Sequence, residues 1–481
     1  MANVQDHKTS SQGARASAVA HASVAERARR GKMARAEVPR ASHGGFEPSS
    51  TRPDPISLLE EQARSRVPEL VPIRYGRMLV SPFAFYRGAA LIMASDLAST
   101  PRSGLTVQVC GDAHLSNFGV FASPERSLVF DVNDFDETLP GPWEWDLKRL
   151  AASLVVAGRD RGFSAKERTE AVLAAAEGYR NEMQTLASMQ NLDVWYRRLD
   201  AGQVLKDLGA QATKTVTKRT DKLLAKARTQ DSMAAFNKLC QVVDGGPRIV
   251  SDPPLISPLH ELHPGDEGDD LFEGVHELVR IYRRSLPAER RHLLEQFKVV
   301  DIARKVVGVG SVGTRAWIVL LEGRDQSDPL FLQAKEAQAS VLERFVGKSA
   351  YANCGERVVV GQHLMQASSD IFLGWERYDG IDGVRRDYYL RQLKDWKGSV
   401  DPDRMVPESI IAYARVCGWT LAHAHARSGD RIAIATYLGT SPVFDRAIAS
   451  FAESYADQNQ KDYEALQKAV ADGRVTAQAG L

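Results

Sequence analysis

Asp112, Asn117, Asp134 and Asp136 are the residues of this 481-residue chain whose types and spacing could do chemistry. They stand in Cys110-Gly-Asp-Ala-His-Leu-Ser-Asn117 and, seventeen residues after its last member, in Asp134-Phe-Asp136. Carboxylates on two strand ends with an amide between them make a hard-oxygen site, suited to a cation that keeps waters and bridges phosphates, so magnesium fits better than zinc. The chemistry would be phosphoryl transfer, with Asn117, Asp134 and Asp136 as candidate metal ligands, and Asp112 accepting the proton of an acceptor hydroxyl. The plainer reading takes Asp131, Asn133, Asp134 and Asp136 as turn residues. The Gly-Asp-x-His-x-x-Asn run upstream outweighs it.

Strands must position these groups. Leu105-Thr-Val-Gln-Val-Cys110 is a β-branched run that ends at Gly111 and delivers Asp112, and Ser127-Leu-Val-Phe-Asp131-Val is a second run ending in acids. The five-residue step from Asp112 to Asn117 is also that of the Asp and Asn in a kinase catalytic loop.

Far downstream, Val307-Gly308-Val-Gly310-Ser311-Val-Gly313 is followed by Trp317-Ile-Val-Leu-Leu321 and Glu322-Gly323. A dinucleotide fold needs a helix to open at the last glycine, whereas the β-rich continuation predicts a glycine-tipped hairpin. Gly308, Gly310, Ser311 and Gly313 would then cover the phosphates of ATP. The next predicted strand, Pro329 to Lys335, ends in a lysine twenty-two residues beyond Gly313. That lysine would neutralise phosphates and pair with a helix glutamate. A helix over Gln338 to Phe345 makes Glu343 the first choice of partner and Glu336 the second.

The catalytic loop thus precedes the glycine hairpin, an order that suggests circular permutation. Helical periodicity from Ile410 to His425, with Ile411, Ala414, Val416, Leu421 and Ala422 on one face, supports it. His423 and His425 fall on different helix faces, which argues for packing rather than a shared metal. The expected architecture is α+β and protein-kinase-like in two lobes: a disordered basic tail over 1–30, a helical catalytic lobe over 31–300, a smaller antiparallel-sheet nucleotide lobe over 301–400, and C-terminal helices over 401–481 that complete the catalytic lobe. Residues 245 to 270, rich in Pro, Gly and Asp, are expected as a loop.

Composition narrows the setting. With 43% apolar and 26% charged residues the chain is an ordinary globular sequence, and a formal net charge of +1 gives no global field for nucleic acid or an anionic membrane. Four scattered cysteines without a C-x-x-C pair argue against disulfides and zinc, and for a cytoplasmic setting. No apolar run is long enough to span a bilayer. A basic stretch, Lys214, Lys218, Arg219, Lys222, Lys226 and Arg228, reads as a solvated helix face.

Met78-Leu-Val-Ser-Pro-Phe-Ala-Phe-Tyr-Arg-Gly, CGDAHLSNFG, NDFDETLPGPWEWDLKRLAASL, QAKEAQASVLE, GERVVVGQHLMQ and DIFLGW together resemble the bacterial family called domain of unknown function 2252, which has no settled substrate. The loop and the acidic strand are also similar to the aminoglycoside and choline kinase group. That similarity implies Asp112 as base, His114 as the second histidine of the loop, Asn117 and Asp134 as metal positions and Asp146 as a buried helix Asp that braces the loop. Cys110 departs from the group's histidine, and Asn133 from its usual apolar residue, which leaves Asp131 open as a ligand. Trp143 and Trp145 are expected in the core or cleft wall, and Arg87 on a phosphate or in an ion pair.

The function expected is a magnesium- and ATP-dependent phosphotransferase for a small-molecule acceptor. The alternatives are a catalytically silent nucleotide-binding regulatory module, and transfer of the nucleotidyl (AMP) group on the same fold.

Overall fold

The computed structural model describes residues 21–204, 214–243, 245–264, 266–379, 383–393, 395–399 and 401–480. Most of the expected tail lies outside them, but a helix, α1 (Val24–Glu37), starts within its last part. Ser23 caps it in a reciprocal box with Glu26, which satisfies two end groups at once. Gly31 brings α1 against the helix Arg431–Leu438, since a Cβ there would meet Ala433 O at 2.2 Å.

A helical body surrounds the loop. Its main members are α2 (Pro82–Gly88), α3 (Trp143–Asp160), α4 (Ala165–Ser188), and two helices introduced below from the C-terminal region. α3 is buried along nearly its whole length, the charged Glu144, Asp146, Lys148 and Arg149 of its first two turns included. The helix expected around Ile410 to His425 is present within Pro407–Ser428, and packs on α4 through a glycine on each side. A Cβ on Gly418 would sit 2.2 Å from Ala175 O, and one on Gly178 would sit 2.8 Å from Arg415 O. Val443–Ala471 closes the body against α3 and α4.

Four short strands hold the segments that carry Asp112, Asn117, Asp134 and Asp136: β1 (Thr106–Val109), β2 (Phe118–Ala122), β3 (Leu128–Val132) and β4 (Leu139–Pro142). β1 pairs with β4 from Val109↔Leu139, and β2 with β3 from Phe118↔Val132. Residues 110–117 and 133–138 are therefore two crossings between the same pair of ladders, tied at both ends. Between them Asn133 N donates to Asn117 O at 3.0 Å.

An antiparallel six-stranded sheet follows, formed by β5 (Ile256–Pro258), β6 (Lys298–Lys305), β7 (Ala316–Glu322), β8 (Pro329–Ala337), β9 (Gly374–Asp379) and β10 (Arg385–Gln392), in the order β9-β10-β8-β7-β6-β5. β6 and β7 are the arms of the expected glycine hairpin. The helix α5 (Cys354–Met365) lies between β8 and β9, and Pro407–Ser428 and Val443–Ala471 are α6 and α7.

Two expectations about elements are corrected. Residues 245–270 are not simply a loop: Gly246–Ile249 pairs with Cys240–Val243, and β5 extends the sheet from the same stretch. Pro258 is tolerated because β5 is an edge strand. No helix forms over Gln338–Phe345, only one turn at Glu343–Val346. Its backbone is taken by tertiary partners instead: Val341 N donates to Glu137 Oε2 at 2.7 Å, and Arg357 Nη2 donates to Gln338 O at 2.8 Å. In the basic stretch, Lys218, Lys222, Lys226 and Arg228 are exposed, while the side chains of Lys214 and Arg219 lie outside the described residues.

Candidate functional site

Asp112 leaves β1 through Gly111, whose φ of 82° and close approach to Glu137 favour glycine, since a Cβ would meet Glu137 O at 2.5 Å. The turn is braced from below by α3. Asp146 Oδ2 accepts from Cys110 N at 2.8 Å and Oδ1 from Gly111 N at 3.0 Å, the bracing role the kinase similarity implies. His425 Nε2 reaches Asp146 at 3.2 Å, and its other ring nitrogen meets Tyr179 OH at 2.9 Å. His423 turns away to Glu182 at 2.8 Å, so the two histidines share no ligand.

The Asp112 carboxylate is one-fifth exposed, and its Oδ1 accepts from Arg149 Nε at 2.8 Å. Arg149 is itself held over the Tyr86 ring, 3.8 Å from its centroid. Burial pushes the Asp112 carboxyl up to about 6, with Arg149 opposing the shift. His114 Nε2 lies 3.8 Å from Asp112 Oδ2. Burial, then the charges of Arg149 and Arg87, hold the His114 ring well below its ordinary range, so it is neutral.

The distant segments come together here. Asp112, Asn117, Asp134, Asp136, Gly310 and Ser311 all line one cleft of about 520 Å³. Lys335 Nζ donates to Asp136 Oδ2 at 2.6 Å, and Tyr389 OH to Oδ1 at 2.5 Å. Ser311 Oγ also reaches Asp136 Oδ2 at 3.4 Å, so glycine turn, lysine strand and acidic segment meet on one carboxylate. Burial alone would raise Asp136, but the ammonium of Lys335 prevails and holds it below its usual value. Lys335 is held charged, well above its ordinary value, by the same pair against the cost of burial.

Some expected roles are reassigned. Neither Glu343 nor Glu336 pairs with Lys335. Strand alternation turns Glu336 away from Lys335, and it binds Arg315 at 3.3 Å. Glu343 lines the cleft from its single turn. Lys335 and Gly313 stand behind the cleft wall, Gly313 against Arg66 and through its carbonyl to Val67 N at 2.8 Å. Asp131 is removed from the metal candidates. It lies beside Arg427 in a small pocket away from the cleft, and its Oδ1 accepts from its neighbour Val132 N at 2.8 Å.

Asn117 Nδ2 donates to Asp112 O at 2.8 Å, which leaves its Oδ1 as the amide oxygen for a cation. Asn117 and Asp134 both reach the cleft, while Asp136 is engaged by Lys335 and Tyr389. Among the described residues no group of three or more His, Cys, Asp or Glu side chains is arranged to hold a metal. One carboxylate and one amide suit magnesium, which completes its shell with waters and phosphates rather than protein groups. Trp143 and Trp145 are core residues, Trp143 stacking on Tyr179 at 5.4 Å between ring centroids.

The sequence profile of the DUF2252 family, described as an uncharacterized protein conserved in bacteria, matches residues 66–469. The chain belongs to that family. No curated protein and no solved structure matches it. The DUF2252 match takes in both crossings, 110–117 and 133–138, the glycine turn and the lysine strand. Sequence reasoning missed several residues that line this DUF2252 cleft or hold its lining side chains from behind. Arg149 was legible, since it lies three residues after Asp146 on α3 and so shares its face. Tyr389, Glu137 and Arg357 carried no local signal. Among the described residues no helix is long and apolar enough to cross a membrane.

Proposed function

We propose that the chain is a magnesium- and ATP-dependent phosphotransferase acting on a small-molecule acceptor. The observation that carries this reading is the meeting of Asp112, Asn117, Asp134 and Asp136 with Gly308–Ser311 at one cleft, with Lys335 bound to Asp136 behind its wall, across about two hundred residues of chain. The succession of glycine hairpin, lysine-bearing strand and helix α5 supports a protein-kinase-like fold. The placement of α6 beside α3 and β1, although it comes late in the chain, supports circular permutation.

Asn117 and Asp134 would hold the magnesium, which supplies charge neutralisation at the phosphates. Arg149 occupies Oδ1 of Asp112, so Oδ2 is the oxygen for the acceptor proton. Asp146 keeps the loop backbone from shifting while that proton moves. A second reading, a nucleotide-binding module without transfer, is favoured by the Lys335–Asp136 pair, which engages both charges with each other.

The test is incubation of the full chain with magnesium and ATP labelled at either the α or the γ phosphate, over a pool of small hydroxylated and amino metabolites. Label transferred from the γ position, and lost in Asp112→Asn, supports the phosphotransferase. Transfer from the α position would move the reading to nucleotidyl transfer. Nucleotide binding without any transfer would leave the silent module.

A further inference from the structure

Behind the glycine turn, Arg66 and Arg74 stand in the wall of the cleft. Arg74 is fully buried. Its Nη2 donates to Gln62 Oε1 at 3.1 Å and to Gly88 O at 3.0 Å, while its Nε and Nη1 are buried without a hydrogen-bond partner. Arg66 donates through Nη1 to Val312 O, and its Nε is likewise buried and unpartnered. Neither guanidinium makes an ion pair with a carboxylate among the described residues. Both line the cleft, with Arg87 beside them.

A fully buried guanidinium with two N–H groups unmet, and a second, half-buried one whose charge acts on it, form an arrangement that proteins keep only where something compensates it. Burial and then the charge of Arg66 push Arg74 well below its usual range. Burial brings Arg66 down to about 10, against the attraction of Glu137, Glu336 and Asp136 further off. The charge of Arg87 reaches the other way, to Asp112 and His114. Arg66, Arg74 and Arg87 thus line the same cleft as Asp112 and Asp136. Lys335, matched to Asp136, cannot supply that positive charge as it stands.

We propose that Arg66 and Arg74, with Arg87 beside them, form a phosphate-binding site in the inner wall of the cleft. Guanidinium N–H groups match phosphate oxygens in pairs, and the unmet Nε and Nη1 donors are the ones such an oxyanion would take. The assignment of the phosphate to a nucleotide tail or to a phosphorylated acceptor rests on the function proposed above. The anion site itself does not.

The experiment is a thermal-shift and calorimetric titration of the full chain with inorganic phosphate, pyrophosphate, ADP and adenosine, in the wild type, Arg74→Met and Arg66→Met. Pyrophosphate should stabilise the wild type and bind at least about tenfold more weakly to either variant. Arg74→Met should also melt higher than the wild type without anion, because it removes an uncompensated charge; loss of a merely structural arginine would melt lower. If Arg74→Met does not fold, the loss of anion response in Arg66→Met decides. Pyrophosphate that competes with ADP assigns the site to the nucleotide tail, and simultaneous binding assigns it to the acceptor. Pyrophosphate binding without ADP binding would keep the anion site and remove the nucleotide reading. ADP and pyrophosphate affinities unchanged in both variants, or no anion response in the wild type, would overturn the site.

Discussion

Lys335 Nζ lies 2.6 Å from Asp136 Oδ2 although 199 residues separate them in the chain. The lysine side chain is only 4% exposed, so deleting one partner leaves the other charge with little water to replace it. Lys335→Met or Asp136→Leu alone should each cost about 3–5 kcal/mol, and the double variant less than the sum. Urea denaturation of the four proteins measures the coupling; additive losses would show that the pair is not a unit.

If the chain is the phosphotransferase proposed above, Asp112 sets the pH profile of transfer. Its carboxyl titrates near 6 in the folded chain and must be ionised to accept a proton, so kcat/KM should rise as pH rises through about 6 and then level. Arg149→Met removes the opposing charge and should move that rise to higher pH. Asp112→Asn should lower kcat by roughly 10² to 10⁴ at any pH. A profile flat between pH 5 and 8 would take Asp112 out of the reaction.

Asp131 should make its own contribution to stability against pH. Burial raises it to about 7, above the ordinary value near 3.9, so the folded state binds more protons than the unfolded state between those limits. Its contribution to stability is therefore lost as pH rises from about 4 to about 7. Asp131→Asn should be more stable than the wild type at pH 8 by about 1–3 kcal/mol, with the difference vanishing below pH ~4. Paired denaturation curves at the two pH values check the sign.

Asp146 accepts two buried backbone N–H groups, and each donor left unmet costs about 1–3 kcal/mol. Asp146→Ala should therefore destabilise the protein and speed hydrogen exchange at Cys110 and Gly111 beyond the change at distant amides. Exchange that rises uniformly would mean that the brace is not local.

Helix propensity favours alanine over glycine by about 1 kcal/mol, yet Gly418→Ala in α6 should destabilise. Its Cβ would press on Ala175 O, a backbone atom that cannot swing aside. An expected loss of about 1–3 kcal/mol is read from the shift in the urea midpoint.

The sequence was most legible where local signals decide. Gly111 after a β-branched run marked the exit that delivers Asp112, and the β-rich stretch after Gly313 marked a hairpin rather than a dinucleotide fold. Asp146 followed from resemblance and stands where that implied. The partner of Lys335 did not follow, because it depended on a helix that tertiary contacts replace: Glu137 and Arg357 bind the backbone of residues 338–341 in a non-helical form. Arg66 and Arg74 were invisible for a similar reason. An arginine is ordinarily a surface residue, and nothing local in the sequence says that Arg74 is fully buried with Arg66 half-buried near it.

The packing of α4 against α6, glycine to backbone on both sides, has a consequence for synthesis. Residues near 178 must wait for residues near 415 before their apolar face is covered, so the half that bears Asp112 emerges from the ribosome with its main helical interface open. Its early helices should stay dependent on chaperones, or loosely collapsed, until the last sixth of the chain has been translated.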